Sequence, residues 1–384
     1  MGRLISKGIV NPEILKWART TLNMSTEEVG RRLGKKTSDI AAWEIGESTP
    51  TYIQLERLAY EIYKRPIAIF FFPQVPLEDG PEKSFRTLPD FELAKLPSTV
   101  IQQIRRGQAM QLKLHELCNG NNPAERHLLK EFKVDKHTEV SPAAFSLREY
   151  LGISLDIQVK WTRPDLAFSG WRDAIESAGI FIFKNAFRQE EISGFCLYDA
   201  EFPIIYVNNS MPSTRQTFTL FHELAHLLMK TGGIDKINDD FLTTLKPEAK
   251  RVEIFCNRLA ADFLVPETDF NKQIKELKIT ENDIKILANR YCVSREVIAR
   301  KLFDREKVDQ KTYTKLAEKW RNQVKQSHRS DKGGDYYNTQ KSYLGQQYLD
   351  LVFGAYYRNE IDVLQAADYL NMRVESVLEM ETRQ

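Results

Sequence analysis

The sequence predicts a mainly α-helical protein with one small β-sheet, an α+β chain in three parts. Apolar residues recur at helical spacing through most of its 384 residues, which indicates amphipathic helices packed on a core. Short apolar runs bounded by turn residues between positions 180 and 207 predict a sheet of about three strands. The breaker-rich residues 73–90 and the polar residues 305–341 separate three predicted domains, at 1–75, 76–305 and 306–384.

The composition is that of an ordinary soluble protein, with 42% hydrophobic and 28% charged residues. The net charge of +2 gives no global sign of a nucleic-acid or membrane partner. The longest apolar run, residues 66–73, is too short to span a bilayer, and the N-terminus does not resemble a secretion signal. We therefore expect a cytoplasmic protein without membrane contact. Neither a disulfide framework nor a cysteine-rich zinc ribbon is predicted, because no C-x-x-C spacing links Cys118, Cys196, Cys256 and Cys292.

Four short helices are predicted near the N-terminus. They span residues 12–22, 26–33, about 38–45 and 51–63. Ser25 followed by Glu28 forms a capping-box start for the second helix, which Gly34 ends. Two short helices around a glycine-containing turn indicate a helix-turn-helix.

This segment resembles the Xre/Cro/C1 family of DNA-binding domains. The resemblance rests on residues 24–30, Leu33, 36–40, 43–46 and 49–51, followed by Leu55, Leu58 and Ala59. In that family the second helix of the motif enters the major groove of double-stranded DNA. The resemblance implies base contacts from Lys36, Thr37, Ser38 and Asp39, and phosphate contacts from Arg31, Arg32 and Lys35.

The charge of the helix-turn-helix segment is modest. Residues 1–65 contain 11 Lys and Arg against 8 Asp and Glu, which gives a net charge of +3. Because DNA affinity follows the number of phosphate contacts, tight binding favours a homodimer. The alternative is a small helical bundle that serves protein contacts or dimerisation.

Residues 91–155 are predicted to be mainly helical. A long amphipathic helix includes residues 100–117, and Ser141 as N-cap with Pro142 opens another that runs to Leu151. A helix from Trp171 ends at Gly179. The three strands that follow are residues 180–183, 194–197 and 203–207. A proline at the start of the last strand favours an edge position, and a central position is the alternative.

The stretch after the strands carries a metal-binding pattern. Residues 216–231 contain no Pro or Gly and are predicted to form one helix. His222 and His226 lie four residues apart and therefore on one face, with Glu223 beside the first. This H-E-x-x-H arrangement binds zinc, with the glutamate as general base. The alternative is a core helix whose histidines only form hydrogen bonds.

A catalytic zinc usually takes three protein ligands and one water. The other four histidines have no motif spacing relative to this pair, so a carboxylate is the better candidate. Glu253 lies 27 residues after His226 on a predicted helix, residues 247–264, and Asn257 follows one turn later. The other carboxylates that we consider for this position are Glu248, Asp239, Asp240 and Asp262.

Residues 215–226 and 253–266 resemble the ImmA/IrrE family of metallopeptidases, whose members often carry an N-terminal Xre-type domain. The resemblance implies a zincin-like domain in which three side chains bind zinc and Glu223 is the general base. Those implied ligands are His222, His226 and Glu253. Many members have a further acidic residue where Phe255 stands here. Asn257 is expected to hold one ligand in place, and Tyr206 is a candidate donor to the oxyanion.

Together these features predict a DNA-binding transcription regulator fused to a zinc endopeptidase. In such an enzyme zinc polarises the scissile carbonyl and acidifies water, while Glu223 carries the proton to the leaving amine. The resemblance implies that the substrate is a repressor or an antitoxin-like protein. The alternative is a regulator or antitoxin that binds a toxin-like partner without cutting it and keeps zinc as a structural or sensory ion.

The C-terminal third is predicted to be helical as well. Residues 279–303 have a helix-turn-helix rhythm that we interpret as a bundle closing the peptidase domain. A long helix and a link follow, and residues 343–380 are predicted to form a small subdomain for self-association.

Overall fold

The computed structural model describes residues 10–383 except 79, 81–83, 86–92, 136, 237–242, 276, 278 and 328–334. It is mainly helical with one four-stranded mixed sheet, which confirms the predicted fold class. The chain forms two compact units, residues 1–106 and 107–384. Among the described residues, no helix combines the length and the apolarity that crossing a bilayer requires.

The first unit is helical. Its helices are Pro12–Thr20, Thr26–Leu33, Thr37–Glu44 and Tyr52–Glu56, followed by a π-helical stretch Arg57–Tyr63 and a 3₁₀ helix Ile67–Phe71. As predicted, Ser25 caps the second helix, because its side chain accepts the Glu28 N–H at 3.0 Å. The predicted capping box is not complete, since the Glu28 carboxylate pairs with Arg32 at 2.6 Å. Gly34 ends that helix with a φ of 72°, a left-handed conformation that glycine adopts without steric cost. The apolar run after Pro66 buries only Phe70 and forms no strand.

The helix Ser98–Leu117 runs from the first unit into the second. The helices that follow are Leu128–Glu131, Val140–Tyr150, Leu155–Gln158, Pro164–Glu176, Ser213–Leu228, Pro247–Leu264, Glu267–Ile274, Glu281–Tyr291, Arg295–Phe303, Gln310–Ser327, Tyr336–Leu344, Gln346–Tyr357, Val363–Leu370 and Val374–Glu381. We call Ser213–Leu228 the histidine helix and Pro247–Leu264 the Glu253 helix. The prediction that Ser141 is an N-cap is wrong. The helix begins one residue earlier, at Val140, and the Ser141 hydroxyl donates to Asp262 Oδ2 at 2.7 Å.

The sheet consists of β1 (Phe181–Asn185), β2 (Ile192–Leu197), β3 (Ile204–Asn208) and β4 (Gly233–Lys236), in the order β1-β3-β2-β4. β1 pairs with β3 in parallel, and the other two pairs are antiparallel. The edge position favoured for residues 203–207 is wrong, because β3 lies between β1 and β2. The edge strand near the histidine helix is instead β4. It directly follows that helix in the chain.

The two outer edges of the sheet differ. The helix Tyr336–Leu344 packs against β1, and Arg172 holds this region together. Its Nη1 donates to Ser342 O at 2.7 Å, its Nε donates to Glu176 Oε1 at 2.8 Å, and its Nη2 donates to Ile182 O. Among the described residues, β4 pairs only with β2, so its other side faces no strand.

An aromatic triangle joins the three helices that frame the core behind the sheet. The Trp171 ring lies 5.1 Å from Phe221 of the histidine helix and 5.1 Å from Phe263 of the Glu253 helix. The rings of Phe221 and Phe263 stack at 4.1 Å. Trp171 is fully buried, so it fixes the spacing of the helices that carry the histidines and Glu253.

Removal of this indole should therefore destabilise the second unit. We expect Trp171→Ala to lower the free energy of unfolding by about 3–5 kcal/mol, because it deletes a fully buried aromatic side chain and leaves a cavity. Chemical denaturation measures the change. Tyr357→Ala is the control, since that side chain is 56% exposed and its removal should cost less than about 0.5 kcal/mol. A loss for Trp171→Ala below about 1 kcal/mol, the typical effect of a single substitution, would contradict this account of the core.

Candidate functional site

The histidine helix lies against the sheet with almost every side chain from Gln216 to Leu228 buried. Its close approach depends on Gly194 of β2, because a Cβ there would stand 2.5 Å from Thr219 Cγ2. Thr219 donates its hydroxyl to Asp235 Oδ2 of β4 at 2.7 Å, and Arg215 donates to Asp235 Oδ1 at 2.6 Å. β4 is thus fastened along the helix that carries the H-E-x-x-H pattern.

Three side chains converge on one point between the histidine helix and the Glu253 helix. Nε2 of His222 and Nε2 of His226 are 3.2 Å apart. Glu253 places Oε2 3.4 Å from His222 Nε2 and Oε1 3.3 Å from His226 Nε2. All three residues are at least 98% buried. The structure therefore brings together the two predicted histidines and the predicted carboxylate as a group that fits a metal ion.

The outer nitrogens of both imidazoles are held by neighbouring side chains. Nδ1 of His222 lies 3.1 Å from Asn257 Oδ1, an oxygen that only accepts hydrogen bonds. Nδ1 of His226 lies 3.2 Å from Thr231 Oγ1, whose own proton is directed to His226 O at 3.1 Å. Both Nδ1 atoms accordingly carry the proton, and both Nε2 atoms present a lone pair to the same point. Two lone pairs and a carboxylate directed at each other over 3.2–3.4 Å form a site that favours a cation.

The spacing of these donor atoms also fits zinc. Two ligands of a tetrahedral ion with bonds of about 2.0–2.1 Å lie roughly 3.3–3.4 Å apart, and the three separations here are 3.2, 3.3 and 3.4 Å. Two imidazoles and one carboxylate are a donor set that zinc enzymes use. The residues present fit such an ion.

The electrostatics of the cluster favour a positive charge. Burial lowers the pKa of His222, but the carboxylates of Glu253 and Asp235 together outweigh burial and raise the pKa above its ordinary value. Burial opposes ionisation of Glu253 as well, and the two imidazoles reverse this, so that the pKa of Glu253 is lowered. The group therefore holds a carboxylate that remains ionised beside nitrogens that attract a cation.

Glu223 lies beside the cluster and is fully buried. Neither of its carboxylate oxygens has a partner at full hydrogen-bond distance among the described residues, although the buried Cys196 thiol lies close to the carboxylate, and burial raises the pKa of Glu223. The backbone of β4 approaches from the other side, since a Cβ at Gly233 would stand 2.4 Å from His226 Cδ2 and 2.8 Å from Glu223 Oε2. A buried carboxylate with free acceptor oxygens is suited to take a proton from a reactant at this place.

A buried arginine fixes the far end of the Glu253 helix. Arg148 Nη1 donates to Phe263 O at 2.8 Å, and Arg148 Nη2 donates to Gln158 Oε1 at 2.6 Å. Gln158 Nε2 in turn donates to Leu264 O at 2.9 Å. These donors satisfy carbonyls of the last helical turn, so the helix that carries Glu253 is held at its C-terminus.

Asn257 is expected to contribute to metal affinity because it orients His222. Replacement of such a partner typically costs 10–100-fold in metal affinity, and we expect Asn257→Ala to weaken zinc binding by about this factor. Competition with a chelator of known affinity measures it. Asn271→Ala, at an exposed position outside the cluster, is the control and should bind zinc like the natural chain. Equal affinities for both variants would contradict the assigned role.

The remaining predicted candidates lie elsewhere. Tyr206 stacks on Phe195 at 5.2 Å, on the face of the sheet opposite to Ile205 and Val207, which pack with the histidine helix. It is therefore not placed to donate to an oxyanion at the cluster. Glu248 is exposed, and Asp262 pairs with Lys301 and Ser141. Asp239 and Asp240 lie outside the described residues.

The predicted DNA-contacting residues belong to the first unit, and all but one of them are exposed. Arg31, Arg32, Lys35, Lys36, Thr37 and Ser38 are exposed, and Asp39 is half-buried. Asp39 Oδ2 accepts the Lys36 N–H at 3.2 Å and so caps its own helix, while Arg32 pairs with Glu28 at 2.6 Å. Glu44 of the same helix is neutralised by Arg19 at 2.6 Å. The predicted contact residues thus include more cations than anions.

Three residues that the sequence did not reveal contribute to the site. Thr231, Gly233 and Asp235 all lie on β4 or immediately before it, and they contact His226, Glu223 and Thr219. None belongs to a spaced motif. The only signal in the sequence is their position directly after the histidine helix.

The comparison with protein-family models agrees with this geometry. The family model described as the IrrE N-terminal-like domain, of the M78 peptidase family, matches residues 175–303, or 129 of the 384 residues. This segment holds all four strands, the histidine helix and the Glu253 helix, and it does not include the helix-turn-helix segment. No curated protein matches the sequence.

Among solved structures, the chain is similar to a Mycobacterium tuberculosis transcriptional regulator at 18% identity and a TM-score of 0.30. The similarity covers 43% of this chain and 46% of the regulator. The chain thus matches less than half of that protein's length, and a likeness of this degree does not establish a shared activity.

Proposed function

We propose that the chain is a zinc-dependent endopeptidase fused to a DNA-binding domain, and that it regulates transcription by cutting a repressor or antitoxin-like protein. The observation that carries this proposal is the buried convergence of His222, His226 and Glu253 beside the unpaired carboxylate of Glu223. An IrrE-like M78 peptidase domain at residues 175–303 supports it.

When bound at this cluster, zinc supplies Lewis acidity toward a peptide carbonyl and toward water. The residues of the chain supply the rest. Glu223 accepts the proton of the attacking water on a carboxylate oxygen and returns it to the departing amine. The raised pKa of Glu223, caused by burial, places the carboxylate nearer to the pH at which it can both take and release a proton. Asn257 and Thr231 keep the imidazoles oriented throughout.

The side of β4 opposite β2, which pairs with no described strand, is the proposed position of the substrate backbone. Because Gly233, Ile234 and Asp235 are buried, the residues that cover β4 must move aside before a peptide can pair there. An extended peptide that pairs with an exposed strand gains main-chain hydrogen bonds in a defined register. Gly233 of β4 touches His226 and Glu223, and Asp235 lies beside Thr219, nearly two turns earlier on the histidine helix. A peptide paired with β4 would therefore run along the histidine helix with one of its bonds at Glu223.

The DNA-binding part of the proposal rests on the first unit. The exposed cations Arg31, Lys35 and Lys36 flank the start of the helix Thr37–Glu44, the helix that would enter the major groove. Since the net charge of residues 1–65 is only +3, we propose that the chain binds an operator as a homodimer.

Removal of the metal tests the enzymatic part directly. The purified full chain, incubated with the products of adjacent genes and with a repressor of its own promoter, should cut one of them at a defined bond. Chelation followed by gel filtration should abolish cleavage, and one equivalent of zinc should restore it. Cleavage that persists in the chelated protein would contradict the proposal.

A further inference from the structure

The first unit contains a cluster of two arginines and one glutamate that neither the metal centre nor the DNA-facing surface uses. Arg65 Nη2 donates to Glu78 Oε2 at 2.5 Å, and Arg105 Nε lies 3.5 Å from Glu78 Oε1. Two guanidinium cations thus share one carboxylate. The two arginines and the one glutamate of this cluster together carry a net charge of +1.

Both guanidiniums are largely buried and held in place. The side chains of Arg65 and Arg105 are 10% and 18% exposed. Arg65 lies over the Trp17 ring at 3.9 Å and its Nη2 reaches Thr21 Oγ1 at 3.4 Å. Arg105 Nη2 donates to Thr21 O at 3.0 Å. The two side chains are therefore fixed against the end of the first helix before any ligand arrives.

Each arginine also has one donor for which the described part of the chain supplies no acceptor. Arg65 Nε and Arg105 Nη1 are buried and have no acceptor among the described residues. Buried donors on a charged group are costly when they are left without a partner. Burial, followed by the repulsion of Arg65, lowers the pKa of Arg105 to about 10, so Arg105 remains cationic at neutral pH.

We propose that Arg65 and Arg105 form a binding site for a small oxyanion of the phosphate class, which displaces the partly exposed Glu78 carboxylate and accepts hydrogen bonds from the guanidinium N–H groups that now face Glu78. Planar guanidinium forks match the oxygens of phosphate and carboxylate groups. Glu78 is 29% exposed and acts as a resident competitor that the anion must displace. This site goes beyond the proposed peptidase and DNA-binding functions and does not depend on either.

A small anion fits the burial better than the backbone of a DNA duplex does. The side chains of Arg65 and Arg105 are only 10% and 18% exposed, so both guanidiniums lie below the protein surface. The phosphates of a DNA duplex are instead contacted by side chains that extend from the surface. We therefore commit to a free anion, for which inorganic phosphate is the probe.

Calorimetric titration and thermal unfolding of the full chain with phosphate, against chloride at equal ionic strength, test the proposal. We expect saturable binding, and at 100 times Kd the ratio of folded to unfolded first unit should rise about 100-fold. Arg105→Gln should weaken phosphate binding by about tenfold or more, because a charge-assisted hydrogen bond is lost. Arg106→Gln, the exposed neighbour on the same helix, should leave the affinity unchanged.

Glu78→Gln gives the sharper result, since the proposal predicts an effect of the opposite sign. Removal of the competing charge should tighten phosphate binding by about tenfold, whereas loss of a merely structural ion pair would not. This variant decides the question even if Arg105→Gln fails to fold. No saturable phosphate effect, or an unchanged or weaker affinity in Glu78→Gln, would overturn the proposal. Displacement of phosphate by duplex DNA would assign the site to the DNA backbone and would also overturn it.

Discussion

A Glu223→Gln variant should bind zinc as tightly as the natural chain and cut its protein substrate about 10²–10⁴ times more slowly, the usual contribution of a general base. The amide has nearly the same shape as the carboxylate, and none of the three converging donor atoms belongs to residue 223. The change therefore removes the proton acceptor and leaves the metal cluster in place. Single-turnover cleavage assays and metal analysis of the same preparation measure both quantities.

The control for this variant is Glu248→Gln, at an exposed glutamate just before Glu253 in the chain. It should cleave at the rate of the natural chain. Full cleavage by Glu223→Gln would contradict the role of general base. If the variant loses cleavage but still regulates its target genes, regulation does not require proteolysis, and a protein that only binds its partner is the better description.

Glu253→Ala should lose the metal altogether. The loss of zinc affinity should exceed the 10–100-fold effect of an outer partner such as Asn257, because a direct ligand and the only anion among the three donors both disappear. Without the carboxylate, only two protein side chains would remain to hold zinc, whereas a catalytic zinc normally takes three, and cleavage should fall to background. Zinc content after dialysis and cleavage rate are the two measurements.

Loss of zinc by Glu253→Ala identifies a ligand only if the variant still folds. The circular dichroism spectrum of Glu253→Ala should match that of the natural chain, since Trp171, Phe221 and Phe263 still fix the two helices. Glu248→Ala is the matched control at an exposed position. Undiminished zinc content in Glu253→Ala would mean that the third ligand lies elsewhere, and Asp239 and Asp240 would then be the first residues to replace.

The sequence alone predicts those features of the site and of the fold that depend on the spacing of residues close together in the chain. Two histidines four residues apart must share a helical face, and the structure places their Nε2 atoms 3.2 Å apart. Glu253 is favoured by the sequence alone, because it stands one turn before Asn257 on a predicted helix long enough to return along the first. Helix caps are equally local, as Ser25 demonstrates.

The sequence alone does not predict features that depend on contacts between distant parts of the chain. Gly232-Gly233 indicates a helix end and gives no sign of β4, whereas a Cβ at 233 would meet His226 at 2.4 Å, so the strand needs the glycine there. Pro203 favours an edge position for β3, although all five residues of that strand are buried. Ser141 is a residue type that favours N-cap positions, but its hydroxyl donates a hydrogen bond to Asp262, which is distant in the sequence.

The arginine contacts are a further case of tertiary placement. Arg172 binds Ser342 across 170 positions of the chain, and Arg105 reaches Thr21 across 84. No periodicity in the sequence links such residues. Their partners follow only from the packing of helices that are far apart in sequence.

X-ray absorption at the zinc edge of the purified full chain tests the central claim most directly. We predict one ion per chain, two imidazole nitrogens, and oxygen ligands, all at about 2.0–2.1 Å. A metal-free protein, or a sulfur ligand at about 2.3 Å such as Cys256 three residues after Glu253, would contradict it.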